Sequence, residues 1–83
     1  MLAAIRIFLK VAELGSFSKA AKVVNMAPSS VTRCIDSLEN QLQTALFKRS
    51  TRQLILTEKG QIFLDGASKL LVEADSLCAS MTE

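Results

Sequence analysis

The chain has 83 residues, enough for a single hydrophobic core and too few for two domains of ordinary size. With 49% of residues apolar, 22% charged, three glycines and one proline, the composition is that of a folded, mainly helical protein rather than a disordered tail. The net charge of +2 hides an asymmetry: residues 1–15 hold two basic residues and one acidic, 16–53 six and two, and 54–83 two and five, giving +1, +4 and −3. No apolar run approaches the roughly 20 residues that a bilayer core demands, so no membrane contact is expected. The first ten residues include Arg6 and Lys10 and lack a small-residue cleavage site, so no secretory signal is read and a cytoplasmic protein is expected.

Histidine is absent, and the two cysteines, Cys34 and Cys78, stand far apart. That leaves no zinc spacing, no histidine-based triad and no multi-disulfide framework, so neither a metal nor a cofactor is expected. Both cysteines lie on apolar helical stripes, where a free thiol behaves as a small core residue. An enzyme is not expected either, because a glycine-rich phosphate loop is also missing.

Taken in chain order, Leu2, Ile5, Leu9 and Ala12 recur at helical spacing with Phe8 beside them, which predicts an amphipathic helix over residues 2–14, stopped by Gly15. Ser16 and Ser18 offer hydroxyls to the free amides of a short second helix over residues 19–24, whose packing face is Ala20, Ala21 and Val24. Residues 25–28, ending in Pro28, form a break, because proline disfavours helical geometry in the residue before it and suits the start of the next helix. A third helix over residues 29–42 turns Val31, Ile35, Leu38 and Leu42 to the core. Its other face begins with Ser29, Ser30, Thr32 and Arg33, short hydrogen-bonding side chains and one guanidinium. A short helix, a tight turn and a longer helix with alanines at the crossing is the helix-turn-helix arrangement, whose second helix enters the major groove of DNA. Short helix pairs with polar faces are common, so a plain scaffold remains open at this point.

Two strand-like runs, residues 46–49 and 53–56, predict a β-hairpin with Lys48, Arg49 and Arg52 clustered at its tip. Such a tip can lie along phosphates or place an arginine in a minor groove, or it can simply keep an edge strand solvated. Thr57 can cap a last helix over residues 58–82, about 37 Å long at 1.5 Å per residue. On it Phe63, Ala67, Leu70, Ala74, Leu77 and Met81 form a heptad seam, with Leu71 and Cys78 beside it. A second copy of the chain is the economical partner for that seam, folding back onto its own domain the alternative.

Over essentially its whole length the chain resembles the N-terminal winged helix-turn-helix of LysR-type transcriptional regulators: FLKVAELGSF, the paired alanines, VTR-x-I-x-x-LE-x-QL, LFKR and LTEKG, in the family's order. The resemblance implies a mainly α winged helix-turn-helix domain over 1–57, a three-helix core plus a small hairpin wing, and a linker helix over 58–83 for dimerisation. It implies sequence-specific binding of double-stranded DNA by a homodimer, or a tetramer in a longer protein, with a small-molecule effector bound only through a C-terminal domain that this chain lacks. Ala27-Pro28-Ser29 stands where many members carry Ser-Gln-Pro, Asp36 lies where a basic or neutral residue could touch a phosphate, and the tip lacks the usual glycine.

Residues and resemblance together assign Thr32 and Arg33 to base edges, Ser29 and Ser30 to a phosphate or base edge, Arg52 to the minor groove and Lys48 to the backbone. Arg49 has two readings, a backbone contact or a pair with Glu39 that pins the wing. Phe17, Ala20, Ala21, Val31, Ile35, Leu38, Leu46 and Phe47 are expected in the core. Two alternatives stand beside the regulator: a protein-protein dimerisation module on a winged-helix scaffold, and another winged-helix class such as a molybdate-type regulator.

Overall fold

A computed structural model describes residues 1–50 and 53–82. The elements run α1 (Leu2–Leu14), α2 (Phe17–Val24), α3 (Pro28–Leu42), β1 (Phe47–Arg49), β2 (Leu54–Leu56) and α4 (Glu58–Ser80). The mainly α winged helix-turn-helix expected from the sequence is the fold observed. None of the described helices is long and apolar enough to cross a membrane.

The three body helices stop in the same way, at a residue in the left-handed region. Gly15 at φ 65° returns its N–H to the Val11 carbonyl. Asn25 at φ 57° ends α2, and the next amide, Met26, closes back on the Ala21 carbonyl at 2.9 Å. Gln43 at φ 55° ends α3, with Thr44 N–H on the Glu39 carbonyl at 3.2 Å. These closures satisfy last-turn carbonyls that would otherwise be unpaired, and they reverse the chain within a few residues. Starts differ more. Ser16 accepts the Lys19 N–H at 3.2 Å, so α2 begins at Phe17 rather than at residue 19, with Ser18 inside the helix. Pro28 occupies the first position of α3, where its missing N–H costs nothing, one residue earlier than expected.

Phe8 and Val11 of α1, Ala20 and Ala21 of α2, Val31, Ile35 and Leu38 of α3, and Leu46 and Phe47 form the main core, all buried. Two adjacent alanines let α2 cross the other two helices closely, because no side chain beyond Cβ intervenes. The four phenylalanines form a continuous line. Phe63 of α4 meets Phe8 edge-on at 5.1 Å, Phe8 meets Phe47 at 5.3 Å, and Phe47 meets Phe17 at 6.2 Å. Such pairs contribute about 0.5–1.5 kcal/mol each beyond the area they bury.

The strands are antiparallel with Phe47 opposite Leu56, Lys48 opposite Ile55 and Arg49 opposite Leu54. Ser50 closes the tip, its N–H and hydroxyl on the Gln53 carbonyl at 3.0 and 3.1 Å and its Oγ accepting the Gln53 N–H at 3.0 Å.

Helix α4 begins where Thr57 binds three ways: its N–H to the Leu46 carbonyl at 2.9 Å, its hydroxyl to the Ala45 carbonyl at 2.6 Å, and its Oγ1 accepting the Gly60 N–H at 2.9 Å. The helix then runs back along α1. Ala67 and Leu71 are buried against Ile5, with Phe63 packed beside them. Farther along, Arg6 Nη2 lies 2.6 Å from Asp75 Oδ1, which raises the arginine's pKa and lowers the carboxyl's, chiefly through that hydrogen bond.

The heptad seam is therefore divided. Phe63, Ala67 and Leu71 pack on the chain's own α1, where their spacing alone assigned them to a partner, and Ala74 is half-buried. Leu70, Leu77, Cys78 and Met81 remain exposed. Cys78 thus departs from the core placement expected of it, whereas Cys34 is half-buried and burial pushes its thiol pKa up.

Gly60 is buried beneath the Ala45–Phe47 segment, and a Cβ there would collide with the Leu46 carbonyl oxygen and press on the Leu56 side chain. Gly60→Ala should cost about 1–3 kcal/mol, because backbone on both sides must shift. Thermal denaturation followed by circular dichroism would show a midpoint lowered by roughly 4–8 °C per kcal/mol, and an unchanged midpoint would contradict the close approach.

Candidate nucleic-acid interface

The turn of residues 25–27 sets α3 so that Val31, Ile35 and Leu38 are buried and the opposite face looks outward. On that face Ser29 and Arg33 are exposed one turn apart, with Asp36 and Asn40 continuing the row. Ser30 and Thr32 flank it, both half-buried. Thr32 donates its hydroxyl to the Pro28 carbonyl at 3.1 Å, which fixes the rotamer and leaves the oxygen able to accept from outside. Arg33 has no ion-pair partner among the described residues.

The start of α3 is open. Ala27 at the cap position carries no side-chain oxygen, Pro28 has no N–H, and the Ser30 N–H bonds the Ala27 carbonyl at 3.0 Å, so the Ser29 N–H is the first-turn amide left without a partner among the described residues. That amide and the positive end of the helix dipole are available to an acceptor on another molecule.

The wing separates its cations by strand alternation. Phe47 and Arg49 point to one side and Lys48 to the other, because successive side chains alternate. Lys48 shares the outer side with Ile55 and is exposed. Arg49 turns to the body, standing over the Phe17 ring at 5.1 Å, with Nη1 2.7 Å from Asp36 Oδ1 and Nη2 2.9 Å from Glu39 Oε1. The pair with Glu39, one of the two readings of Arg49, is present, and Asp36 joins it. Arg52, assigned to the minor groove, lies outside the described residues, as does Thr51.

Glu39 does more than pair with Arg49. Its Oε2 accepts the Leu46 N–H at 2.6 Å and the Phe47 N–H at 3.1 Å, so one carboxylate on α3 holds the start of the wing by backbone and by side chain. Asp36 and the two amides are partners that sequence reasoning missed. The signal was present in the strand period, which puts Arg49 on the same side as Phe47 and hence toward the body.

A short helix, a left-handed turn, a second helix with an outward polar row and a hairpin wing pinned beside it define a winged helix-turn-helix protein. The comparisons agree in detail. Residues 2–61 match the family described as bacterial regulatory helix-turn-helix protein, lysR family. The HTH-type transcriptional regulator GltR of Bacillus subtilis is 44% identical over 79 residues, 95% of this chain and 27% of that protein. The HTH-type transcriptional activator AaeR of Escherichia coli is 41% identical over 71 residues, 86% of this chain and 23% of that one. Among solved structures, the BenM DNA-binding domain in complex with catB site 1 DNA superposes with a TM-score of 0.95 at 33% identity, covering 99% of this chain and 91% of that one. Full-length CbnR complexed with its target DNA superposes with a TM-score of 0.92 at 30% identity, covering 99% of this chain and 28% of that one.

The chain belongs to the lysR family of bacterial regulatory helix-turn-helix proteins. It is a DNA-binding domain of the transcription-regulator type, and it spans about a quarter of the length of the curated relatives it matches.

Removing the Glu39 carboxylate leaves two amides and a guanidinium without their acceptor. Glu39→Ala should therefore destabilise the fold by about 2–4 kcal/mol, since each buried donor left unpaired costs about 1–3 kcal/mol. Urea denaturation reads this as a lower midpoint, and a loss under 1 kcal/mol would contradict the role given to Glu39.

Proposed function

We propose that the chain binds double-stranded DNA sequence-specifically as the DNA-binding part of a bacterial regulator, with α3 in the major groove and the wing along the backbone. The observation that carries this is the outward row of α3: Ser29 and Arg33 exposed one turn apart beside an uncapped helix start, with Arg33 unpaired among the described residues. Arg33 reads a guanine edge with two hydrogen bonds, Thr32 accepts from a neighbouring base, and Ser29 and Ser30 bind a phosphate or a base edge near the helix start. Lys48 lies on phosphate, and Arg52 is kept as the candidate for the minor groove.

In this reading residues 1–57 form the DNA-binding body and 58–83 the linker, and two copies associate through the face of α4 that the body leaves open. Leu70, Leu77, Cys78 and Met81 supply that face, while Phe63, Ala67, Leu71 and Ala74 support it from the side turned to α1. The relatives' DNA complexes support duplex DNA as the partner. A two-fold dimer on DNA favours half-sites about one helical turn, near 34 Å, apart and hence an interrupted palindrome. Such a protein acts in the cytoplasm.

Duplexes selected from a random pool supply the specific target. Arg33→Ala should lose about 1–3 kcal/mol on the selected duplex and little on a scrambled one, whereas Lys48→Ala should weaken both alike and lower the salt slope by about one. Fluorescence anisotropy at several salt concentrations distinguishes the two, and equal losses on both duplexes for Arg33→Ala would sink the base-reading role.

The dimer has its own check. Sedimentation equilibrium should find a dimer that Leu70→Lys with Leu77→Lys converts to folded monomer, while Leu71→Lys unfolds the chain because it places a charge against Ile5. Dimers that persist in the double variant would move the interface elsewhere.

A further inference from the structure

We infer that Asp36 is a positioning residue that withholds the Arg49 guanidinium from phosphate, and so limits how tightly the wing side of the protein binds any duplex. The inference rests on the proposed placement of α3 in the major groove. Asp36 follows Arg33 by three residues on the outward side of α3, its side chain 55% exposed and its Oδ1 2.7 Å from Arg49 Nη1. The fold does not need this second pairing. Glu39 alone holds the other edge of Arg49 at 2.9 Å together with the Leu46 and Phe47 amides, and the guanidinium already rests over Phe17.

What Asp36 changes is the charge presented to DNA. Two carboxylates against one guanidinium give the group a net charge of −1, at the junction between recognition helix and wing. A duplex carries one negative charge per roughly 1.7 Å of axis, so a negative group there opposes every sequence equally, and an arginine shared between two carboxylates displaces no counterion from phosphate. Without the Asp36 charge the group is neutral and one edge of the guanidinium is free to reach the backbone.

The test compares Asp36→Asn and Asp36→Glu with the unaltered chain, by fluorescence anisotropy on the selected and the scrambled duplex across about 50–200 mM salt. One regained phosphate contact steepens the slope of log K against log salt by about 0.9 and tightens binding to both duplexes about eightfold at 0.1 M salt. That is the result expected for Asp36→Asn, with an unchanged melting temperature because Glu39 still anchors the wing. Asp36→Glu should keep the original slope, and Asp36→Asn combined with Arg49→Gln should return to it. A merely structural role for Asp36 would shift the melting temperature and leave the slope alone. Wild-type binding with an unchanged slope in Asp36→Asn overturns the role of Asp36 alone, whereas a wild-type chain that binds neither duplex overturns the placement of α3 and this inference with it.

Discussion

The Glu39 carboxylate accepts two backbone amides on one oxygen and the Arg49 guanidinium on the other, from a position three-quarters of the way along α3. Because α3 is also the helix that carries Ser29, Thr32 and Arg33, the hairpin is registered against the same rigid body that presents the outward row. Hydrogen bonds to a charged group are worth more than neutral ones, and Glu39 is largely shielded, its side chain 16% exposed. The distance between α3 and the wing is thus fixed by this carboxylate together with Leu46, whose side chain is buried in the main core at the end of the short turn of residues 43–46.

From that junction the constraint passes to α4. Leu46 gives its N–H to Glu39 and its carbonyl to Thr57, and Gly60 packs directly beneath that carbonyl. The start of α4 is therefore set from Leu46, the residue at which Glu39 also holds the start of the wing. The line of phenylalanines runs parallel to this polar connection, from Phe63 on α4 through Phe8 and Phe47 to Phe17 under Arg49. Polar and aromatic paths join the same ends, so α4 cannot swing relative to α3 without disturbing both. For a dimer built on α4, that rigidity is what would convert the geometry of the dimer into a fixed spacing of two recognition helices.

Much of this was legible in the sequence because the signals are local. Gly15, Pro28 and Thr57 mark helix boundaries by chemistry that acts within one turn, and the apolar period of Val31, Ile35 and Leu38 names the buried face of α3 without any tertiary knowledge. The end of α3 at Leu42 followed from the same apolar period, whereas its closure did not, since glutamine has no special ease in the left-handed region and the Thr44 amide must reach the Glu39 carbonyl. The division of the α4 seam was not legible at all. A heptad stripe reports that a face is apolar, not which helix covers it, and only the three-dimensional course of α4 along α1 shows that Ile5 takes Ala67 and Leu71.

The charge pattern sharpens in the same way. Residues 16–53 carry a net +4, but Arg49 is enclosed by Asp36 and Glu39, so the positive charge offered outward comes from a few separated side chains, Arg33 on α3 and Lys48 on the wing among them. Lys19 and Lys22 on α2, Arg33 on α3 and Lys48 on the wing carry no ion pair among the described residues, and in the proposed complex each one that reaches a phosphate would release counterions. In the proposed complex α3 would supply base contacts and α4 would join two copies, where the second contact is favoured by proximity rather than by added charge. The acidic stretch on α4 fits that division of labour: Asp75 is tied to Arg6 on α1, Glu73 and Asp65 stay exposed, and a helix bearing them is repelled by the duplex while its apolar face remains free to meet a second copy.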